Sequence, residues 1–310
     1  MRATKPAIPN SHAASAIYMD TLVTIEIVDP APEVERAAAT ARAFGWFERV
    51  ERTCSRFDEK SELTALSRAE TGRPTEVSAL LFKQLEFAIA VAEASDGAFD
   101  PTVGGTMEAR GFDRNYATGE RIASPRSPGA SSFRDVLLDP ERLTVTLLRP
   151  LTLDLGAVAK GFAIDLAAQE LSAFGNFAIN AGGDVLVRGR NHEGAPWRIG
   201  VRHPRENEAI FTALRLTEGA VCTSGDYERQ GATGGAGHHI LDPATGRSAG
   251  AAVSVTVIAP SAMVADALST AAFALGPERG LALLERHGVD GIIITSNFET
   301  LETPGIKEYR

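Results

Sequence analysis

The chain has few cysteines, no long apolar run and no excess of basic residues. Its 310 residues include two cysteines, Cys54 and Cys222, which are far apart and form no C-x-x-C pair. Neither a thiolate zinc site nor a disulfide framework is therefore expected. No apolar run approaches the roughly 18 residues of a membrane span. Lysine and arginine number 31 against 40 aspartate and glutamate, and the net charge of -9 argues against nucleic acid as a main partner.

The first residues also lack the features of a targeting segment. Residues 1–16 contain Arg2 and Lys5 but neither an apolar signal-peptide core nor a cysteine for a lipid anchor. They are predicted to form a flexible polar tail before a single domain over residues 17–310. A chain that begins here is expected to be cytoplasmic, whereas a chain from which an export signal was removed is expected to be periplasmic.

Helix and strand patterns alternate along the chain without a fixed period. Helical spacing of apolar residues predicts helices over 33–53, 61–69, 78–94, 160–174, 262–275 and 278–287. Strands are predicted over 21–28, 136–139, 143–147, 151–155, 177–180, 184–188, 197–201, 212–216, 253–258 and 291–295. Residues 101–135 are predicted to be irregular. Because no change in composition divides the chain, we expect one α+β domain with several layers.

The segment Val264–Thr270 carries the strongest single signal. It follows a strand-like run that ends at Pro260, and on a helix Asp266 and Thr270 lie four residues apart on one face. The surrounding residues are almost all apolar, so a carboxylate and a hydroxyl are expected to be buried there, at a cost unless something binds them. A hard cation with oxygen ligands is one solution. An aspartate that accepts backbone N–H groups near a helix start is the alternative, and the segment alone does not decide.

A second candidate lies at the predicted strand-to-helix junction Asp154–Gly161. Gly156 permits close approach of a ligand to the backbone, and the free N–H groups of the following helix favour phosphate. Lys160 would add positive charge. A glycine-containing turn with a solvated lysine is the simpler interpretation, and the segment is neither a G-x-G-x-x-G motif nor a P-loop.

Paired histidines form a third candidate. His238 and His239 precede the D-P-x-T-G turn at residues 242–246. Neighbouring residues of a strand face opposite ways, so only one histidine can face a given site. Beside a bound phosphate that histidine could act as a general base; the alternative is a surface histidine beside a turn.

Three further segments offer weaker signals. The turns Asn180–Asp184 and Thr223–Arg229 are either plain turns or places where the backbone lines a ligand. Ser224 lies outside any G-x-S-x-G pattern, so a serine nucleophile is not favoured. In Ala98–Gly104, Phe99 either packs on a flat ligand or fills the core.

The order of these patterns along the chain resembles that of the ApbE family, the FAD:protein FMN transferases. The resemblance covers nearly the whole chain, from about Met19 to the C-terminal strand. It is carried by Met19-Asp20-Thr21, Cys54–Asp58 with Ser61-Glu62-Leu63, Gly97–Gly104, Asp154–Gly161, Gly182-Gly183-Asp184, Ser224–Arg229, His239–Gly246 and Ala265–Thr270.

The resemblance implies an ApbE-like domain with mixed and antiparallel strands and packed helices. It also implies a magnesium-dependent enzyme that cleaves the pyrophosphate of FAD, joins FMN through a phosphoester to a Ser or Thr of an acceptor flavoprotein, and releases AMP. Asp266, Thr270 and the carbonyl oxygen of Ala157 would bind Mg²⁺, with Ser269 adjacent, and His239 would be the catalytic base. The implied FAD site consists of Met19, Phe57, Ala98, Phe99, Asp100, Asp154, Lys160 and Ile240.

Two segments depart from the pattern of the family. The family usually has glycine where this chain has Asp20, and it often has a tryptophan-glycine pair where this chain has residues 107–111. Two other activities are therefore kept as alternatives. One is an FAD-binding protein without transferase activity, and the other is an FAD pyrophosphatase that yields FMN and AMP.

Overall fold

A large antiparallel sheet forms the centre of the molecule. A computed structural model describes residues 11–114, 119, 121–122, 131–206, 209–227 and 237–310. Along the chain the strands are β1 (His12–Tyr18), β2 (Thr21–Ile27), β3 (Thr75–Glu76), β4 (Val136–Asp139), β5 (Thr144–Leu147), β6 (Phe177–Ala181), β7 (Asp184–Arg188), β8 (Trp197–Arg202), β9 (Ile210–Leu216), β10 (Glu218–Gly225), β11 (Leu241–Asp242), β12 (Arg247–Ser248), β13 (Ala252–Ala259), β14 (Asp290–Thr295) and β15 (Thr300–Glu302). The central sheet has the order β1-β2-β6-β7-β10-β13-β14-β15, and every neighbouring pair is antiparallel.

Helices cover one face of this sheet. They are α1 (Glu33–Cys54), α2 (Glu62–Ser67), α3 (Ala79–Ala94), α4 (Gly104–Ala109), α5 (Gly156–Glu170), α6 (Ala262–Leu275) and α7 (Pro277–Arg286), with 3-10 helices at Phe133–Asp135 and Pro304–Tyr309. α1 packs on α5, α5 on α6, and α6 on β10 and β13. Every residue of β13 is buried, as expected of a strand that is covered on both faces. Within the described ranges no helix is both long and apolar enough to cross a membrane.

A hairpin of β8 and β9 covers the opposite face of the sheet. Along β8 buried and exposed residues alternate, and its buried residues pack with Val221 and Ile292 of the central sheet in a second, smaller core. Two small sheets, β3-β5-β4 and β11-β12, complete the described fold. The molecule therefore has a hairpin layer, a sheet layer and a helix layer, which confirms the predicted α+β architecture with antiparallel strands and packed helices.

The prediction misses two of the longer strands of the central sheet, and also its short edge strand β15. The flexible tail expected over residues 1–16 is wrong for residues 12–16, because residues 12–18 pair along their whole length with β2. Alanine and serine have low strand propensity, so pairing with a neighbour determines this strand. The other difference is β10, which was not predicted because it is buried on both faces and shows no alternation. Residues 1–10 lie outside the described part of the chain.

The region before α5 also differs from the prediction. The strand expected over 151–155 is reduced to one bridge, from Thr152 to Val103. Its apolar residues are buried in the core without joining a sheet. α5 then begins at Gly156, earlier than the predicted start at Lys160, and the region expected to be irregular contains α4.

The turn between β1 and β2 leads to the first testable prediction. Met19 and Asp20 are its two central residues, and both have left-handed φ angles, of 52° and 59°. A two-residue turn of this kind favours glycine. Because a side chain in the left-handed region costs about 1 kcal/mol, we expect Asp20→Gly to raise the free energy of unfolding by about 1 kcal/mol in urea denaturation.

The matched control is Asp20→Ala, which removes the same carboxylate but keeps the Cβ atom. It is expected to give no stabilisation. An Asp20→Gly protein that unfolds at the same or a lower urea concentration than the unsubstituted protein would show that the turn is not strained.

Candidate functional site

The candidate site lies where α5 meets α6. Asp266, on α6, is 6% exposed. Its Oδ2 accepts the Gly161 N–H at 3.1 Å and lies 3.9 Å from Lys160 Nζ. Both contacts involve Oδ2, and among the described residues Oδ1 has no hydrogen-bond donor. A buried carboxylate with one such oxygen is suited to bind a further positive group.

The N-terminus of α6 is fixed on α5 by Asp165. The Oδ1 atom of Asp165 accepts the Ala262 N–H at 2.8 Å, and its Oδ2 accepts the Met263 N–H at 3.0 Å and the Ser261 hydroxyl at 2.8 Å. Burial raises the pKa of Asp165, and these hydrogen bonds oppose that shift. The cap therefore sets the position of α6, and with it the positions of Asp266 and Thr270.

Three hydroxyl groups form a cluster beside Asp266. Ser224 Oγ, at the end of β10, lies 2.9 Å from Thr270 Oγ1 and 2.8 Å from Ser269 Oγ. Ser269 is fully buried and its hydroxyl donates to the Asp266 carbonyl at 2.9 Å. This geometry favours Ser269 as a support for the helix over a direct ligand, and it leaves Thr270 as the half-buried hydroxyl of the cluster. The sequence analysis placed Ser224 in a polar turn and in the family pattern, did not favour it as a nucleophile, and did not predict this contact.

Lys160 makes a second charged contact, with Asp184. The Lys160 ammonium pairs directly with Asp184 Oδ2, and Asp184 Oδ1 accepts the Thr223 N–H at 3.1 Å. Asp184 opens β7 directly after the predicted Gly182-Gly183 turn. Two carboxylates and one ammonium thus meet at the second turn of α5.

The close approach of α5 and α6 depends on Gly161. A Cβ atom at this position would lie 2.5 Å from the Ala262 carbonyl oxygen and 2.7 Å from Met263 Cα. Both are backbone atoms, so the helices would have to separate to accommodate a side chain. The same glycine donates its N–H to Asp266, and helix packing and the site are therefore coupled at one residue.

We expect Gly161→Ala to destabilise the protein by about 1–3 kcal/mol, the usual cost of overpacking a close contact. The matched control is Gly45→Ala in α1, where a Cβ atom would meet nothing within 4 Å. That substitution should stabilise the protein by about 0.5–1 kcal/mol, because alanine is the better helix former. Equal effects of both substitutions in urea denaturation would contradict the role given to Gly161.

Arg56 connects two residues of the predicted FAD site. Its Nε donates to Asp154 Oδ2, and its guanidinium lies over the Phe57 ring, 4.1 Å from the centroid. Asp154 Oδ1 accepts the Gly156 N–H at 2.8 Å and so begins α5. The Asp154 N–H donates to the Pro101 carbonyl at 2.8 Å. Phe57, Asp154 and the segment after Asp100 therefore lie together.

The segment Ala98–Asp100 is held by hydrogen bonds of Asp100 to nearby Thr102 and to the distant Phe133. Asp100 Oδ1 accepts the N–H and the hydroxyl of Thr102 at 2.8 and 2.7 Å, and Oδ2 accepts the Phe133 N–H at 2.9 Å. Burial raises the pKa of Asp100, and these hydrogen bonds oppose that shift. Phe99 is buried in the main core, and Ala98 is half-buried. The Asp100 carboxylate therefore shapes the loop.

Residues 107–111, which replace the tryptophan-glycine pair, lie at the end of α4 and connect its neighbours. The Glu108 carboxylate lies 3.7 Å from Arg56 Nη1. Arg110 donates to the Gly246 carbonyl at 3.1 Å, in the turn between β11 and β12. In this chain charged side chains thus link α4 both to Arg56 and to the hairpin that follows the histidines.

Met19 is held at the end of α1. Its N–H donates to Glu51 Oε2 at 3.1 Å. Burial raises the pKa of Glu51, and the nearby Asp20 carboxylate acts in the same direction. No contact within the described ranges joins Met19 to Asp266, so the link between these two predicted site residues stays a prediction.

The two histidines have different surroundings. His238 Nε2 lies 2.6 Å from the Ala249 carbonyl, and its ring packs edge-on against Phe273 of α6 at 5.4 Å. Burial lowers the pKa of His238. Phe273 lies seven residues after Asp266, so the histidine segment runs along the same face of α6. Both histidines are half-buried. Because the His238 ring is engaged with Ala249 and Phe273, His239 is the better candidate for the site. Ile240 is buried in the core.

The donor groups at this junction fit a hard cation. Asp266, Thr270 and the Ala157 carbonyl, one helical turn before Gly161, would offer only oxygen atoms. The described part of the chain has no group of three or more His, Cys, Asp or Glu side chains that could hold a metal ion. A cation here would therefore depend on one carboxylate, neutral oxygens and substrate phosphate, as Mg²⁺ commonly does.

Comparison with known proteins identifies the family. A sequence model of the ApbE family matches residues 19–293. The chain belongs to the ApbE family. The FAD:protein FMN transferase of Treponema pallidum is 32% identical to this ApbE-family chain over 322 residues, which is 95% of this chain and 87% of the relative.

Solved structures of ApbE proteins share the fold. The ApbE protein of Thermotoga maritima superposes with a TM-score of 0.85 at 31% identity, covering 97% of this chain and 99% of the other. The flavin transferase ApbE of Vibrio cholerae gives a TM-score of 0.83 at 25% identity, again covering 97% and 99%. This ApbE-family member is therefore an enzyme of the transferase class, with the fold of these proteins.

Proposed function

We propose that this protein transfers FMN from FAD to a Ser or Thr hydroxyl of an acceptor flavoprotein through a phosphoester bond, with Mg²⁺, and releases AMP. The observation that carries the proposal is the buried Asp266 beside Thr270 and Lys160 at the start of α5. The names of the ApbE relatives support FAD as the substrate and transfer of FMN as the reaction. The oxygen donors at the site support a hard cation such as Mg²⁺ as the metal.

Each residue has a role suited to its surroundings. Asp266, Thr270 and the Ala157 carbonyl would hold the magnesium ion, with Ser269 as support. When bound, this ion would neutralise charge on the diphosphate oxygens. Lys160 would add positive charge near the N-terminus of α5, which itself favours phosphate. Met19, Phe57, Ala98, Phe99, Asp100, Asp154 and Ile240 would line the rest of the FAD site.

The chemistry needs positioning and charge neutralisation more than covalent participation of the protein. The acceptor oxygen forms a bond to the phosphorus of the FMN half, and the bond from that phosphorus to the AMP oxygen breaks. His239 accepts the proton of the acceptor hydroxyl. The flavin thus moves as FMN, and AMP leaves.

The test is to incubate the purified protein with FAD and Mg²⁺, with and without a candidate acceptor that has an exposed threonine. AMP release and the mass of the acceptor are measured together. We expect an increase in mass that corresponds to FMN, and its loss when a chelator is added. AMP and free FMN from the protein without acceptor modification would instead indicate a pyrophosphatase. Intact bound FAD without any product would indicate a binding protein.

A further inference from the structure

Asp184 is a buried carboxylate to which sequence reasoning gave no role. It is 3% exposed and is the first residue of β7. The preceding turn has left-handed φ angles of 64° at Gly182 and 103° at Gly183, and the Gly183 N–H donates to Asn180 Oδ1 at 2.9 Å. This two-residue turn places Asp184 beside Thr223, next to the Ser224 hydroxyl cluster.

Both oxygens of Asp184 are engaged. Oδ1 accepts the Thr223 N–H at 3.1 Å, and Oδ2 pairs with the Lys160 ammonium. Lys160 Nζ is also 3.9 Å from Asp266 Oδ2, at the limit of an ion pair. The lysine therefore has two carboxylates within reach, and Asp184 makes the direct contact.

Asp184 is buried and the Lys160 side chain is half-buried, and an ion pair of this kind adds little net stability because desolvation offsets the attraction. The pair is better explained by its effect on where the flexible Lys160 side chain lies. We propose that Asp184 is a positioning residue that holds the Lys160 ammonium for the diphosphate of FAD and away from Asp266. This inference rests on the proposed FAD site.

The two ways in which Asp184 could act predict opposite changes in FAD affinity when the residue is replaced. Without Asp184, the ammonium would move to Asp266, the remaining carboxylate beside it, and would be less available to a phosphate. FAD would then bind more weakly. If Asp184 acted only through its own negative charge, its loss would remove a repulsion and FAD would bind more tightly.

The experiment measures the dissociation constant for FAD by calorimetry, with chelator present to exclude metal ions. It uses the unsubstituted protein, Asp184→Asn, Lys160→Met and the double variant. We expect each single substitution to weaken FAD binding about tenfold. The dissociation constant of the double variant should lie within about twofold of that of Lys160→Met, because the effects of residues that act through one contact are not additive.

Asp290→Asn is the matched control. Asp290 accepts the Thr303 hydroxyl and lies on β14, which is separated from β7 and its Asp184 by the two strands β10 and β13. Its substitution should leave FAD affinity unchanged.

Thermal unfolding of every variant separates this effect from loss of fold. Asp184→Glu keeps the charge and should recover part of the FAD affinity. If the asparagine variant is unfolded, Asp184→Glu replaces it as the test. Its expected FAD affinity then lies between those of the unsubstituted protein and Lys160→Met. Unchanged or tighter FAD binding by folded Asp184→Asn, or additive losses in the double variant, would overturn the inference. If the unsubstituted protein does not bind FAD, or Lys160→Met binds it normally, the proposed FAD site itself is wrong and the inference fails with it.

Discussion

Replacement of Asp266 by alanine is expected to lower kcat/KM for FMN transfer about a thousandfold or more. A bound cation stabilises charge in a phosphoryl-transfer transition state by several kcal/mol, and Asp266 is the one carboxylate in the proposed ligand set. Its Oδ1 has no donor among the described residues, while Oδ2 is already in contact with Gly161 and Lys160. The substitution thus removes both the charge of the cation site and the acceptor of a buried N–H group.

Asp266→Asn separates these two effects. The amide oxygen can still accept the Gly161 N–H, so α5 and α6 should keep their packing while the charge is lost. We expect both variants to lose magnesium-dependent transfer, and the asparagine variant to unfold at nearly the temperature of the unsubstituted protein. Transfer is followed by acceptor mass over a range of Mg²⁺ concentrations. Unchanged turnover and unchanged Mg²⁺ dependence in Asp266→Asn would disprove the assignment of the cation to this residue.

Local patterns predicted the elements that carry the site better than they predicted the sheet around it. The helix over 262–275 is confirmed at both ends, because it has a serine cap and an apolar body followed by glycine. The strand 253–258 lies within β13. In contrast, β1 and β10 depend on their neighbours in the sheet, and alternation within each segment does not reveal them. Long-range pairing is the information that a local pattern lacks.

In the candidate site, too, the features within one helix were predicted and the contacts between elements were not. The spacing of Asp266 and Thr270 correctly predicted a shared helix face with a buried carboxylate. The partners of that face come from other parts of the chain. Ser224 reaches Thr270 from β10, and Asp184 reaches Lys160 from β7. Such contacts between residues far apart in sequence follow from strand order and register, which a single sequence does not display.

Arg56 shows how a charged residue can be missed. The sequence analysis used it only as part of the Cys54–Asp58 motif, and charged residues are usually exposed. In the structure it is 7% exposed and holds Asp154 while it packs over Phe57. Two predicted FAD-site residues are thus positioned by a third to which no role was assigned. A buried arginine with several acceptors is recognisable only once the chain is folded.

Replacement of His239 by alanine is expected to slow FMN transfer by about 10²–10⁴-fold, the usual contribution of a general base. FAD affinity should change little, because the proposed role of His239 is with the acceptor hydroxyl. The measurements are single-turnover transfer to a threonine-containing acceptor and FAD binding by calorimetry. Added imidazole should restore part of the rate, since it can accept the proton in the space left by the side chain.

The neighbouring histidine provides a matched control within the same segment. His238 contacts the Ala249 carbonyl and packs against Phe273, so His238→Ala should mainly lower thermal stability, and imidazole should not restore its transfer rate. The two substitutions remove the same side chain from adjacent half-buried positions, of which position 238 packs against Phe273. If His239→Ala transfers FMN at the normal rate, His239 is not the base. If His238→Ala shows the larger loss of rate and responds to imidazole, the roles of the two histidines are reversed, and the proton would pass to the residue that packs on α6.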